Sequence, residues 1–299
     1  MNNNILIKSL FLLFVLAFTA CTSSIDIKTD NSPPVIVING VLTDQLKRQE
    51  VRISSSGPYF DEQPNLAISD ASVQITSSTG EIYDLIEDSK TAGLYRTAQE
   101  WKVEPGTKYD LKVEVDFDKD GVMDTYEAST TVIRPLSIDS LRIVPMKIMG
   151  NKNYAVNAFA QDPEGKDYYL FKFAVNDSLI STKITKYGTA DDRVFDGGYL
   201  NGITLWYFDD VTQWEDDSDE QRKNSDYIKA GDVIQAQTSL ISRGYHDFIN
   251  QCQSEINGEN PIFGGPASNI TTNISNGGVG YFTGYCITYE EAVVPKYNF

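Results

Sequence analysis

Apolar and polar residues alternate along most of the chain, and this alternation constrains the fold more than any other feature of the sequence. A period of two places successive side chains on opposite faces of a β-strand. The alternating stretches in the first half of the chain are residues 35–42, 51–54, 71–76, 82–86, 93–95, 103–115 and 126–133. Turn-forming residues separate them at regular intervals, which is typical of domains built from short strands. The sequence therefore predicts a mainly β protein whose first domain is a β-sandwich over residues 35–135.

A second β-rich domain is predicted over residues 136–299. Pro135 cannot donate a backbone hydrogen bond, so it interrupts strand pairing and marks a domain boundary. Residues 154–161 and 168–175 both alternate, and the Asp-Pro-Glu-Gly sequence at 162–165 is a strong turn former. We therefore expect these two stretches to form a hairpin at the start of the second domain.

One segment has the period of a helix. In residues 239–256, apolar side chains recur at intervals of three and four positions, and Gly258 is a plausible stop. The chain then returns to a strand pattern near residues 281–285. The predicted fold is thus mainly β, with two sandwich-like domains in tandem and one α-helix, near residues 239–256, packed on the second.

The first twenty residues have the features of an export signal. The apolar run at residues 10–18 is shorter than the roughly 20 residues that span a bilayer, but it suits the core of a signal peptide. Two small residues, Thr and Ala, then precede Cys21, as at the cleavage site of a lipoprotein signal peptide. We expect residues 1–20 to be removed, Cys21 to carry the lipid, and the polar residues 21–34 to form a tether. Cleavage of an ordinary secretory signal nearby is the alternative.

The charge balance limits the partners that the protein can bind. The chain carries 42 acidic and 25 basic residues, a formal net charge of −17. Such a field repels nucleic acid and anionic surfaces, whereas it attracts cations and basic protein surfaces. We therefore expect no nucleic-acid partner, and contact with the membrane through the lipid anchor alone.

Three cysteines occur in the chain. If Cys21 is acylated, Cys252 and Cys286 remain as an even pair in an oxidising compartment. We predict a disulfide between them, which would fix the helix to the closing strand. Two buried free thiols are the alternative.

A twelve-residue segment from Asp116 to Glu127 fits the calcium-loop pattern at each required position. Calcium needs six or seven converging oxygen atoms, and glycine at the sixth position, Gly121, permits the sharp turn. The flanking segments are predicted strands, so the loop would lie at a hairpin tip and not in a helical pair. A merely acidic hairpin is the alternative. The predicted ligands are Asp116, Asp118, Asp120, Val122, Asp124 and Glu127.

Two aromatic segments are candidate contact sites for a ligand or a partner protein. Trp206 and Trp214 lie beside acidic residues, and Tyr59 and Phe60 end a Ser- and Gly-containing loop. Exposed aromatic rings of this kind stack on sugars or grip protein surfaces. The alternatives are that the tryptophans belong to the core and that the loop is an ordinary strand connection.

Enzyme chemistry finds little support in the sequence. His246 is the only histidine, and its place on the predicted helix favours a solvent-facing side chain over a catalytic one. There is no zinc-ligand cluster, phosphate-binding glycine loop or dinucleotide fingerprint. The one enzymatic alternative is a glycan or peptide hydrolase that uses an acidic pair near Trp206 and Trp214, which substitution of Asp209 or Asp210 would test.

Two family resemblances rest on particular residues. Residues 70–75, 93–95 and 105–111 resemble the carboxypeptidase-regulatory, transthyretin-like sandwich over residues 35–135. The order of motifs along nearly the whole chain after Cys21 resembles a Bacteroidota lipoprotein family, the domain-of-unknown-function 4249 family. Those motifs are residues 39–44, 54–60, 162–165, 168–169, 195–198, 268–270 and 280–282.

The second resemblance implies an outer-membrane lipoprotein, often encoded beside TonB-dependent receptors, with no established catalytic residues. We therefore expect a non-enzymatic protein, lipid-anchored in the outer membrane and facing the cell surface or the periplasm. It would assist a TonB-dependent receptor by capturing a nutrient or by docking on the receptor. The alternatives are the hydrolase described above and a structural spacer or adhesin.

Overall fold

Strands dominate the computed structural model, which describes residues 33–57, 66–193, 196–214, 226–258 and 270–299. The predicted mainly β fold with one helix is confirmed. No helix among these residues is long and apolar enough to cross a membrane. The strands are β1 Ile36–Thr43, β2 Glu50–Ser55, β3 Leu66–Ala67, β4 Ser72–Ser77, β5 Ile82–Glu87, β6 Leu94–Thr97, β7 Lys108–Val115, β8 Asp124–Thr131, β9 Ser140–Ile148, β10 Asn151–Gln161, β11 Tyr168–Val175, β12 Ser178–Leu179, β13 Gly188–Asp191, β14 Tyr199–Asp210, β15 Tyr227–Ile228, β16 Val233–Leu240, β17 Val279–Tyr285 and β18 Thr288–Val293.

Strands β1 to β8, together with β17 from near the end of the chain, form one sheet that curls on itself. Its order is β17-β1-β2-β6-β5-β4-β7-β8, with β3 added to β2. The two end strands meet without a backbone ladder: the Gly284 N–H donates to Thr130 Oγ1 over 3.1 Å, and the Asn273 amide bridges the carbonyls of Ser129 and Phe282. Alternate residues of each strand fill the interior, as in β7, where Tyr109, Leu111, Val113 and Val115 are buried. The curled sheet therefore encloses its own core.

The second half forms a sandwich. One sheet has the order β15-β14-β10-β9, and the other has the order β12-β11-β16-β18 with β13 added to β11. Aromatic and aliphatic side chains between the sheets form a separate core, which includes Tyr154, Phe173 and Phe208. The predicted hairpin of β10 and β11 is wrong, because these strands belong to opposite sheets and pair with other strands. The turn at 162–165 carries the chain from one sheet to the other.

The predicted boundary at residue 135 does not separate two independent halves. Strand β17 pairs in parallel with β1, from Val37 with Val279 to Thr43 with Tyr285, so the end of the chain completes the first sheet. Residues 34–299 accordingly form one compact unit. The closing strand crosses back because the outer edge of β1 would otherwise leave its backbone groups unpaired.

The one α-helix among the described residues, α1, spans Arg243–Ile256. It begins later than predicted, because β16 continues the strand pattern to Leu240 and Ser242 then caps the helix by accepting the Tyr245 N–H at 3.2 Å. Its buried residues, Tyr245 and Ile249, pack with Leu170, Tyr281 and Tyr285 in a third cluster. The helix thus contacts strands of both halves.

Candidate functional site

The predicted calcium loop forms the turn between β7 and β8. Carboxylate oxygens of Asp116, Asp118 and Asp120 lie within 4.8 Å of one another. The turn is tight because Lys119 and Gly121 adopt positive φ angles of 61° and 89°. Backbone N–H groups hold all three aspartates: Gly121 donates to Asp116 Oδ2 over 3.1 Å, Asp120 donates to Asp118 Oδ1 over 3.2 Å, and Val122 donates to Asp120 Oδ1 over 2.7 Å. The local sequence therefore brings three carboxylates together at a hairpin tip.

One oxygen of this cluster lacks a partner. Asp116 Oδ1 is buried and accepts no hydrogen bond from any residue. A buried carboxylate oxygen without a donor is costly unless a cation or a proton occupies it. The three aspartates supply hard oxygen ligands of the type that Ca²⁺ prefers. The chemistry of the donor set and the orphaned oxygen thus fit a calcium ion.

The remaining predicted ligands do not all join this cluster. The Asp124 carboxylate accepts the Phe117 N–H at 3.3 Å. Val122 would bind through its backbone carbonyl, so its exposed side chain does not bear on the prediction. Glu127 lies farther along β8, in register with Lys112 of β7, and its side chain is exposed. In a helical calcium hand, the chain turns back so that the twelfth residue reaches the ion, whereas here an extended strand carries Glu127 away from the loop. The structure therefore brings together three of the five predicted carboxylate ligands.

The predicted aromatic contacts are only partly described. Trp206 is half-buried on β14, with its ring 5.8 Å from that of Phe173, so it belongs to the sandwich core. Trp214 ends a short 3₁₀ turn, Val211–Trp214, but its side chain lies outside the described residues. Tyr59, Phe60 and Cys21 also lie outside them.

Asp209 and Asp210 do not form an acidic pair with each other, and the other acidic residues near Trp214 lie outside the described residues. Asp209 and Asp210 are consecutive on β14, so their side chains point to opposite faces of the sheet. Asp209 accepts the Asn153 amide at 2.6 Å, while Asp210 accepts both the backbone N–H and the hydroxyl of Thr212 at 2.7 and 2.5 Å. Two carboxylates on opposite faces cannot flank one scissile bond.

The predicted disulfide is absent, and both cysteines are free. Cys286 follows β17 into the core of the curled sheet, where its thiol donates to the Ile133 carbonyl over 3.6 Å. Cys252 lies on α1, which packs in a different cluster. Cys286 does not meet Cys252 because β17 joins the first sheet and carries Cys286 into the core of that sheet.

His246 does not face solvent as predicted. Its side chain is 13% exposed, its ring centroid lies 5.0 Å from that of Tyr168, and the Asn250 amide contacts it. Asp247 lies 3.2 Å from His246 Nδ1. The histidine is therefore a packing residue at the junction of α1 and β11.

A second aspartate cluster escaped the sequence analysis. Asp162, Asp167 and Asp192 are all buried, and their carboxylate oxygens lie within 4.8 Å of one another. Arg134 donates to Asp167 over 2.6 Å, the hydroxyl of Tyr169 donates to Asp162, and the Asp167 N–H donates to Asp192 over 2.7 Å.

Burial raises the pKa of Asp167, although Arg134 partly offsets the effect. The cluster ties the linker at Arg134 to the turn between the two sheets of the sandwich, which is a structural role. Its only signal in the sequence was the turn at 162–165, since Asp192 comes from a distant segment.

The sequence was compared with models of known protein families. A family model described as a domain of unknown function, DUF4249, matches residues 22–291. The chain belongs to this family. The DUF4249 match begins directly after Cys21 and includes the curled sheet, the sandwich and α1. No curated protein matches the chain.

Proposed function

We propose that this DUF4249 protein is a lipid-anchored, non-enzymatic binding protein of the cell envelope. The observation that carries the proposal is the position of Cys21, which follows a signal-like apolar run and directly precedes the family match at residues 22–291. The compact unit begins at Pro34, and the proposed tether of residues 21–34 would join it to the anchor. Two acyl anchors on Cys21 would hold the protein stably on a membrane.

The proposed partner is a TonB-dependent receptor of the outer membrane, in a member of the Bacteroidota. This assignment rests on the family resemblance, and the net charge of −17 favours a basic surface on the partner. The protein would capture a nutrient for the receptor or dock on it, with its folded unit facing the cell surface.

Crosslinking on intact cells that produce the chain tests this proposal. The wild-type protein should be captured with an outer-membrane barrel receptor, and Cys21→Ala should lose that capture because it is no longer concentrated on the membrane. A variant that keeps Cys21 but carries Asp118→Asn should keep the receptor. Capture of no barrel protein by the wild type would end the receptor assignment.

We also propose that the hairpin of Asp116, Asp118 and Asp120 binds calcium. Support comes from the three converging carboxylates and the orphaned Asp116 Oδ1. The ion would balance the clustered negative charge and stabilise the turn. Extracellular calcium modules bind with dissociation constants of about 10⁻⁴ to 10⁻³ M, and we expect a value in this range.

Calorimetric titration with CaCl₂ distinguishes the observed cluster from the full twelve-residue loop. Asp118→Asn should abolish the binding heat. Glu127→Gln should leave the affinity within roughly twofold, since Glu127 lies on β8 outside the cluster. Asp110→Asn, at an exposed position on β7, is the matched control. Absence of heat from the wild type would refute calcium binding, and loss of affinity in Glu127→Gln would favour the full loop.

A further inference from the structure

A cavity of about 400 Å³ lies at one end of the sandwich, apart from the calcium hairpin. It is formed by Lys152 near the start of β10, by Asp210 at the end of β14, and by Lys229 in the turn after β15. Residues 297–299 complete its wall. Its volume lies within the range of small-molecule pockets.

Three aromatic rings form one side of this cavity. The Tyr154 ring is fully buried and meets Phe299 edge-on at 5.4 Å, and Phe299 in turn meets Tyr297 edge-on at 5.2 Å. Tyr297 is 55% exposed, so the series runs from the core to the solvent. The outermost ring therefore offers an apolar surface at the mouth of the cavity.

The polar groups on the other sides are mainly donors. The Asp210 carboxylate is already occupied by two hydrogen bonds from Thr212 and one from the Tyr154 hydroxyl. Among the described residues, neither the Lys229 ammonium nor the Asn298 side-chain amide has a hydrogen-bond partner. The cavity thus presents unused donors beside an aromatic ring.

We propose that this cavity binds a saccharide, with a pyranose ring stacked on Tyr297. One face of a pyranose is a patch of C–H groups that suits an aromatic ring, while its edge carries oxygen atoms that accept hydrogen bonds from ammonium and amide donors. A volume of about 400 Å³ accommodates one or two sugar rings. The site is independent of the lipid anchor and of the receptor, and it would give the protein a ligand of its own.

Binding of the purified full chain to an array of neutral and uronate-containing glycans tests the proposal. At least one pyranose glycan should be retained, and binding of the uronate-containing glycans shows whether Lys229 selects a carboxylate. Tyr297→Ala should weaken binding by roughly tenfold or more, as expected when a central aromatic contact is removed. Lys229→Met should weaken it as well, whereas Tyr297→Phe should retain it because the ring remains.

Tyr289→Ala is the matched control, since Tyr289 is also an exposed tyrosine, 41% exposed, but lies on β18 outside the cavity. It should bind like the wild type. Retention of no glycan, or equal binding by the wild type and Tyr297→Ala, would overturn the saccharide site. Because these measurements need neither membrane nor receptor, their failure would leave the proposed receptor function untouched.

Discussion

At the scale of single residues, the two cysteines give the most direct prediction. Cys286 is 1% exposed, and burial together with the nearby Asp44 carboxylate raises the pKa of its thiol to about 11. We expect Cys286 to resist a thiol reagent at pH 8 in the native protein, and Cys252, on the half-buried side of α1, to react slowly. Both should react fully in denaturant without reductant. If neither Cys252 nor Cys286 reacted under those conditions, the result would support a disulfide between them.

The raised pKa of Asp209 predicts that the stability of the protein depends on pH. Burial and the neighbouring Asp226 raise its pKa, while the hydrogen bond from Asn153 opposes the rise. The ionised form is therefore disfavoured in the folded protein, and stability is lost as the pH rises through the raised pKa.

Asp209→Asn should raise the melting temperature at pH 7, and the gain should vanish below about pH 4, where the carboxyl is protonated in both states. A gain that persisted at low pH would contradict the electrostatic cause.

At the scale of elements, β17 is decisive because it joins the end of the chain to the first sheet. Gly280 adopts a φ of 103°, and a Cβ there would lie 2.2 Å from the Ile38 carbonyl oxygen of β1. Gly280→Ala should therefore lower the free energy of unfolding by about 3 kcal/mol or more. Gly277→Ala also has a positive φ but open space around it, so it should cost only about 1 kcal/mol. Equal effects in chemical denaturation would argue against the parallel pairing of β1 and β17.

The individual strands and the helix were predictable, because they depend on the local period of apolar residues. The start of α1 was misplaced since residues 239 and 240 satisfy both a helix and a strand pattern, and only the cap at Ser242 decides. The pairing of strands was not predictable, as the partners of β1 lie at residues 50–55 and 279–285. A local pattern carries no information about such distant partners.

The candidate sites divide in the same way, into those formed by residues close in sequence and those that depend on distant segments. Asp116, Asp118 and Asp120 are close in sequence and meet in one turn, so their proximity could be predicted from the sequence. Glu127 was assigned by analogy with a helical loop, and the extended geometry of β8 removes it. The buried cluster of Asp162, Asp167 and Asp192 and the cavity beside Tyr297 depend on the packing of separate segments, which left no pattern to read.

At the scale of the whole molecule, residues 34–299 form one compact β-rich unit. The curled sheet, the sandwich and α1 share residues 34–299, and the candidate calcium hairpin and cavity belong to different halves of that unit. A tether at Cys21 would present both to the same compartment. The proposed binding function therefore depends first on whether the anchor exists.

Mass spectrometry of the N-terminal peptide, isolated from outer-membrane fractions of producing cells, tests this claim most directly. The account predicts a chain that begins at Cys21, with a thioether-linked diacylglycerol and an amide-linked acyl chain on that residue. Cys21→Ser should abolish the lipid mass and leave the chain unprocessed at that site. A mature chain that begins at another residue, or that carries Cys21 without lipid, would contradict the account.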